Sequence, residues 1–590
     1  MARPDAWSQY GGRTKREFYE TLYGSMISER SSFDAHWREI ADWIYPRRTR
    51  FTPSDRNKGD RRNQNIVVGT AKMAHRTLRS GMHAGLTSPL RPWFSLGTPD
   101  PDLATYGPVK SWLHVATQRM QALFAGTNIY NTFPQTYGDC GLFGTAAMAL
   151  LEDDADLFRA YSYPNGSYVV GLDRRGRPNQ FMREYEFTVY QVVQEFGGEG
   201  GSAAVPGRPI VWAQISDTVR ALWDNGQYTS PVQILWAIAP NPQWVPGRLS
   251  NQSMQFSSCH IERTSASAGS GSNPRILRES GFHEFPVMVP RWEVTSAEDC
   301  YGTDCPGMTS LGDVKSLQLG HRTKAKAIAK IVSPALVGPS ALRTQQTSST
   351  PNSITYLDVR DGMQGLRPVH EVRASVKELS EDLWEYRDNI NEAFYKNLFL
   401  MIAQSDQRVG GGPMTAREVD ERAQEKLLGL GPVVELLGDE LHTPAIDRVF
   451  AIMMRRGYLP VPPPEIQGIR LKVEYLSIMA QAQKLVGVVG QDRFLSTLVP
   501  LAEVFPGVRH KVRIFKIIDA YADMLGQDPA TVVPTEEAEA AQAQEAQAAQ
   551  AAQAAQTAKA AGEGARAASQ ATLPDATSAL SRMLDSQGGA

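Results

Sequence analysis

Two sets of polar residues in this 590-residue chain have the spacing to act as a unit. Arg322, Lys326 and Lys330 step by four, so on a helix they form one basic stripe, with Lys324 set to one side. Repeated around a symmetry axis, such a stripe becomes stacked positive girdles. It can face a polyanion, pair with carboxylates of a neighbouring subunit, or simply meet water. The second set is Gln404, Asp406, Gln407 and Arg408, which run into Gly410, Gly411 and Gly412. This is a polar connector whose glycines free the backbone and whose tip offers only weak contacts. The plain alternative is an ordinary surface link between two helices. A third stretch carries Arg47, Arg48, Arg50, Arg56, Lys58, Arg61 and Arg62 against Asp55 and Asp60, seven cations to two carboxylates, or +5. That loop suits DNA, a subunit interface or plain solvent.

Covalent and metal chemistry finds little to work with. No GxxxxGK[ST] run is present to cradle a nucleotide phosphate, and no GxSxG elbow or HExxH pair occurs. His283-Glu284 stands alone, and Phe196 to Ser202 (FGGEGGS) lacks the GxGxxG spacing of a dinucleotide loop. Asp153 and Asp154 follow an apolar run and read as a solvated helix end. Cys300 and Cys305 are five apart with His321 as the next nitrogen donor, but a structural zinc needs four patterned ligands. The sequence therefore predicts no catalytic residues, no metal and no cofactor.

Composition narrows the class further. The 61 Lys and Arg balance 63 Asp and Glu to a formal charge of −2, whereas a free nucleic-acid binder carries a basic excess. A hydrophobic share of 42% and an aromatic share of 9% describe a folding chain, and the length calls for several structural units. Four scattered cysteines fit a reducing cytoplasm. The first ten residues lack a signal-peptide design, and the longest apolar run, Cys140 to Leu151, is short of the roughly 20 residues a membrane helix needs.

The elements that must position these residues alternate between helix and strand. Phe33, Trp37, Ile40, Trp43 and Ile44 give one helical stripe that Pro46 ends. Helices are expected over Ile66 to Leu86, Pro108 to Phe124 and Phe133 to Leu151. Val169-Val170, a turn at Asp173 to Gly176, and Phe181 to Phe187 read as a β-hairpin. Residues 197–285 read as a β-rich insertion with strands such as Val232 to Ile238. A helix follows from Pro306 to Pro334, with Asp304 expected to cap it and Pro306 in the first turn. Ile354 to Leu357 is strand-like. Val376, Leu379, Leu383, Ile390, Phe394 and Leu398 predict one long amphipathic helix. Thr415 and Glu418 make a capping box that opens the next. From about Thr535 to Gln570 the chain is mostly Ala, Gln and Glu, a helix with no large side chains to bury. Such a helix either frays or is held by copies of itself around an axis.

Five segments, in order, resemble the portal (head-to-tail connector) family of short-tailed double-stranded-DNA bacteriophages. They are Ser80 to Leu96 (SGMHAGLTSPLRPWFSL); Phe133 to Glu152 with Asp139 and Phe143-Gly144-Thr145-Ala146; and Tyr301-Gly302-Thr303-Asp304-Cys305-Pro306-Gly307 followed by Gly312-Asp313-Val314-Lys315-Ser316-Leu317. The fourth runs from Met414 to Gly457 and on to Leu459-Pro460, and the last joins Val473-Glu474-Tyr475 to Ala480-Gln481-Ala482-Gln483. Cys305-Pro306 stands where the family often has Ser-Pro. The Ala/Gln tail falls outside the resemblance.

The resemblance implies an α+β, mainly α-helical subunit with wing, stem, clip and crown regions that assembles as a ring, typically a dodecamer, at one capsid vertex. Residues 1–196 would be wing helices and the hairpin; 197–305 the β-rich insertion with the clip and first stem segment; 306–334 the stem helix. Residues 335–413 would be wing strands, the long helix and the channel loop; 414–534 wing and crown helices; 535–590 a crown extension or barrel. Implied partners are double-stranded DNA bound without sequence preference, the terminase large subunit, tail adaptor and tail proteins, the major capsid and scaffolding proteins, and internal ejection proteins. Assembly would take place in the host bacterial cytoplasm and the product would reside in the virion, with no membrane involved. Residues 404–412 and the 322/326/330 stripe are the channel-facing candidates. The competing readings are a packaging nuclease or protease, which the missing motifs disfavour, and another virion ring such as a tail adaptor or tube protein.

Overall fold

The computed structural model describes residues 14–333 except 56, 58, 101, 104, 105, 248–253 and 264–274, then 336–337, 367–368, 376–405, 430–468, 471–475, 517 and 535–570. The chain forms two compact units. One holds Met1–Phe94, Thr117–Pro460 and Ser477–Ala480; the other holds Ser95–Ala116, Val461–Leu476 and Gln481–Ala590.

The first unit is built around an antiparallel five-stranded meander: β4 (Tyr168–Leu172), β5 (Pro178–Thr188), β6 (Pro231–Pro240), β7 (Phe256–Glu262) and β8 (Ile276–Phe282), paired in that order. The expected hairpin is its first pair, with Val170 opposite Phe181. The strands of 197–285 continue the same hydrogen-bonded sheet, Met182 facing Ala237 across β5 and β6. Alternation along β6 sends its side chains to two cores. Leu235, Ala237 and Ala239 meet Tyr19, Tyr23 and Met26 of α1 (Lys15–Trp43). Val232 and Ile234 meet Val189, Val192 and Phe196 of α5 (Val189–Phe196), with Val219 of α6 (Asp217–Asp224) in the same cluster. Covered on both faces, the sheet is a core rather than a surface.

Helix α1 starts at a capping box: Thr14 Oγ1 accepts from the Glu17 N–H, and the Glu17 carboxylate accepts from the Thr14 N–H. Its expected stripe is buried at Trp37, Ile40 and Ile44, and Trp37 donates its indole N–H to the Phe143 carbonyl at 2.9 Å. A third core gathers α2 (Thr70–Leu86), α4 (Ile129–Phe143) and the aromatic rings of Trp93, Phe124, Phe133 and Tyr137 around His442. Between these helices lie β1 (Phe94–Gly97) and α3 (Gly107–Gly126) in the chain.

The sequence reading needs correction at three places. The apolar helix expected over 133–151 is half helix and half strand: α4 stops at Gly144, whose φ of +78° is the left-handed cap, and β2 (Ala147–Asp153) begins. β2 pairs with β3 (Leu157–Tyr163) and β9 (Val287–Met288). A run apolar on every side carries no period, so only the glycine marks the change. Secondly, the helix expected through Leu398 is two helices, α9 (Val376–Ala393) and α10 (Lys396–Ser405), parted at Tyr395 with φ +52°. Thirdly, the cap before Pro306 is Cys305, extended at φ −169°, and not Asp304. The Asp304 carboxylate sits one residue early, accepting from the Cys305 N–H at 2.7 Å and the Thr309 hydroxyl at 3.1 Å.

After that cap come a single turn, α7 (Pro306–Thr309), and α8 (Leu311–Val332). A two-residue antiparallel pair, β10 (Leu336–Val337) with β11 (Arg367–Pro368), lies in the chain between α8 and α9. Further on stand α11 (Gly431–Leu437), a π-helical turn at Gly438–His442 and α12 (Thr443–Arg455). The strand-like patch at 354–357 and the capping box at Thr415 and Glu418 lie outside the described residues. In the second unit β12 (Lys472–Tyr475) pairs with β1, and α13 spans Thr535–Gln570 as its composition predicts. No described helix is long and apolar enough to cross a membrane.

Candidate functional site

Four of the five quoted segments pack against one another around α4 in the first unit. Gly144 and Gly302 approach backbone to backbone: a Cβ on Gly302 would fall 2.1 Å from the Gly144 carbonyl oxygen. The Gly302 N–H donates to Thr145 Oγ1 at 2.7 Å, and a Cβ on Gly307 would meet the Leu142 carbonyl at 2.1 Å. From the first segment, Gly81 of α2 receives the ring of Phe399 on α10, with no room for a side chain of its own. From the fourth, His442 Nε2 lies 2.7 Å from the Tyr137 hydroxyl, within a shell that includes Trp93. Their glycines and rings are thus packing solutions for one joint.

Ion pairs lock the joint. Arg291 donates from its Nε at 3.0 Å and from its backbone N–H at 2.9 Å to the Glu440 carboxylate, and its Nη2 also bonds Glu440. The same guanidinium reaches the Gly176 carbonyl at 3.0 Å and the Asp299 carbonyl at 2.5 Å. Arg448 is buried on α12 and donates to the Leu150 carbonyl at 2.8 Å, with Glu284 beside it. Arg455 binds Glu152 and Glu284, and Arg456 binds Asp154. Asp153 accepts from the Ala155 N–H at 2.8 Å. The adjacent acids read as a solvated helix end are instead the last residue of strand β2 and the first of the turn that follows it.

Helix α8 is anchored in its first half and exposed in its second. Leu311, Val314, Leu317 and Gln318 are buried. Gln318 accepts from the Val67 and Val68 N–H groups at 2.7 and 2.8 Å and donates to the Val68 carbonyl at 2.7 Å. Of the predicted stripe, Arg322 is half-buried and donates to the Gln64 carbonyl at 2.9 Å, while Lys326 and Lys330 are exposed. On the same face Leu319 is 65% exposed. The structure thus separates the stripe: its first member is tied to the body and its last two face outward.

Helix α9 lies along α8. Gly320 leaves space for Leu383, whose methyl carbon would be 2.6 Å from a Cβ there. Lys324 donates to Ser380 Oγ at 2.7 Å, and Arg387 stands 3.1 Å from His321 Nε2. Burial, then Arg387 and Lys324, lowers the His321 pKa, so the ring accepts from Arg387 as a neutral imidazole. Away from α8, α9 exposes Glu381, Asp382, Glu385, Asp388 and Glu392, with Trp384 61% exposed at the margin. The sequence reading followed the apolar rhythm of this helix and missed the acidic face. Its signal was legible in carboxylates spaced by three and four at 378, 381, 385, 388 and 392.

The other candidate residues fare unequally. Gln404 falls in α10, while Asp406, Gln407, Arg408, Gly410, Gly411 and Gly412 lie outside the described residues. Within the basic loop, Arg48 grips Asp139 through two 2.6 Å bonds, and Arg62 pairs with Asp55 and Asp60. Part of its charge is therefore spent internally; Arg61 is exposed. The cysteines are free thiols, and burial pushes Cys305 up to about 12, far from a reactive thiolate. Among the described residues no three His, Cys, Asp or Glu side chains group as metal ligands.

The family described as bacteriophage head to tail connecting protein matches residues 16–533. A protein named portal protein, from Salmonella phage epsilon15, is 40% identical over 575 residues, covering 98% of this chain and 99% of its own. A probable portal protein from Bordetella phage BPP-1 is 37% identical over 523 residues, covering 88% of this chain and 89% of its own. With a match that runs through every segment of the joint, the chain belongs to the bacteriophage head to tail connecting protein family.

Proposed function

We propose that this chain is the portal subunit of a short-tailed double-stranded-DNA phage, a non-enzymatic virion protein at the capsid vertex. The observation that carries the reading is the 40% identity to a portal protein along 98% of the chain. In this reading identical subunits close into a ring, a dodecamer, through which the duplex is packaged and ejected. The terminase large subunit docks during packaging and tail adaptor and tail proteins replace it afterwards. Contacts with the major capsid, scaffolding and internal ejection proteins complete its partners, and assembly takes place in the host cytoplasm.

Weak wall attraction suits this work. Neutralising many phosphates gives tight, salt-sensitive binding that would brake the duplex, and the chain's net charge of −2 avoids it. For the channel wall the proposal keeps the connector with Gln404, Asp406, Gln407, Arg408, Gly410, Gly411 and Gly412, where polar tips and glycines would touch DNA lightly. The region plan of wing, stem, clip and crown stays with it, α8 serving as the stem helix and α13 as the crown extension. For the stripe of Arg322, Lys326 and Lys330, contact with DNA is the less supported role, because Arg322 is already bonded within the chain. A tail adaptor or tube protein is the rival.

Native mass spectrometry of the purified protein tests the reading. One species at twelve times the 65.0 kDa chain mass is expected. Co-purification with the phage's terminase large subunit separates a portal from an adaptor. A chain that stays monomeric at every concentration would refute the ring.

A further inference from the structure

We propose that the acidic face of α9 docks on the basic, partly apolar face of α8 in a second copy of this chain, making a head-to-tail contact that repeats around the assembly. The proposal rests on the ring reading above and names the surface that would close it.

Charge complementarity carries the argument. On α9, Glu381, Asp382, Glu385, Asp388 and Glu392 are exposed, and Lys377 is a weak counterweight, 3.8 Å from Glu381. On α8, Lys326 and Lys330 are exposed in line with Leu319. A helix turns about 100° per residue, so Glu385 and Asp388 lie roughly 140–200° round α9 from Leu383. Leu383 is the residue that α9 presents to Gly320 of its own α8. The carboxylates therefore point away from their own α8, and the two charged faces of one chain cannot satisfy each other.

A second copy can satisfy both. Two different patches meeting make a heterologous contact, and such contacts close into rings when the rotation per copy allows it. The exposed Trp384 indole and Leu319 side chain, at 61% and 65%, supply an apolar centre beside the charges. Opposite charges would steer the encounter and fix the register, whereas like charges in the same place repel. DNA is the weaker occupant, because it could cover the two lysines but would leave the α9 carboxylates and Trp384 uncovered.

Charge reversal tests the pairing by native mass spectrometry of the full chain. Reversing α9 (Glu381→Lys, Glu385→Lys, Asp388→Lys) or α8 (Lys326→Glu, Lys330→Glu) should weaken association at least about a hundredfold, with unchanged circular dichroism. Both reversals in one chain should restore the wild-type oligomer. The proposal is overturned if either reversal alone leaves the oligomer intact, or if the combination fails to restore it. Intact rings with altered DNA retention in the α8 variant would assign the lysines to DNA instead. A monomeric wild type would instead sink the ring reading itself. Should the triple reversal misfold, the neutral set Glu381→Gln, Glu385→Gln, Asp388→Asn must remove most of the salt dependence of association, and an unchanged salt dependence overturns the pairing.

Discussion

Gly302 lies against Gly144 so tightly that a methyl group on it would sit 2.1 Å from the Gly144 carbonyl oxygen. The three nearest atoms are all backbone of Gly144, so no side chain can swing aside. Gly302→Ala should therefore cost on the order of 3 kcal/mol or more by overpacking. Gly312→Ala, where nothing lies within 4 Å and the residue is in a helix, should gain about 0.5–1 kcal/mol. Urea unfolding of the two variants checks the contrast, and equal midpoints would contradict the close approach.

Arg291→Ala should be severe for a different reason. It leaves the Glu440 carboxylate, 10% exposed, without its guanidinium, and an uncompensated buried charge costs about 3–5 kcal/mol. Arg456→Ala breaks a pair whose Asp154 partner is 96% exposed, and its expected loss is under about 1 kcal/mol. Thermal melts of both variants give the ranking.

Three buried histidines make the fold acid-sensitive. Burial is the main cause that lowers His75 to about 4 and His260 and His442 to about 3, with nearby arginines adding to it at His75 and His260. In the unfolded chain an imidazole titrates near 6.5. Below that pH the unfolded state takes up protons that the folded state refuses, so stability is full above about pH 7 and falls as pH drops from 6.5 toward 4. Each ring loses about 1.4 kcal/mol per pH unit in that window, or roughly 4 kcal/mol for three at pH 5.5. Urea midpoints at pH 7.5 and 5.5 measure it. A pH-independent midpoint would show that the rings are not held neutral.

How much of this was written in the sequence depends on period and punctuation. The stripe of α1, the β4–β5 hairpin and the long Ala/Gln helix each follow from spacing or composition. The helix-to-strand change at Gly144 was hidden because the run on either side is apolar throughout. The break at Tyr395 was hidden because a non-glycine residue at positive φ leaves no compositional mark. At the site, the α8 stripe was legible as charge at every fourth residue. Its division into one tied arginine and two outward lysines was not, since Gln64 and Arg322 are brought together only by tertiary packing.

The last helix should be dispensable for the core. Every described side chain from Glu539 to Glu563 of α13 is exposed. Ending the chain after Pro534 should leave the melting of the first unit unchanged, with a loss of helical circular dichroism matching the Thr535–Gln570 helix. A collapse in melting temperature would show that the helix supports the fold.

Cryo-electron microscopy of the purified protein bears most directly on the whole account. It should reveal closed rings of one subunit type whose central opening admits a DNA duplex in at least one conformation. Particles that never close, or an opening too narrow for the duplex in every class, would contradict it.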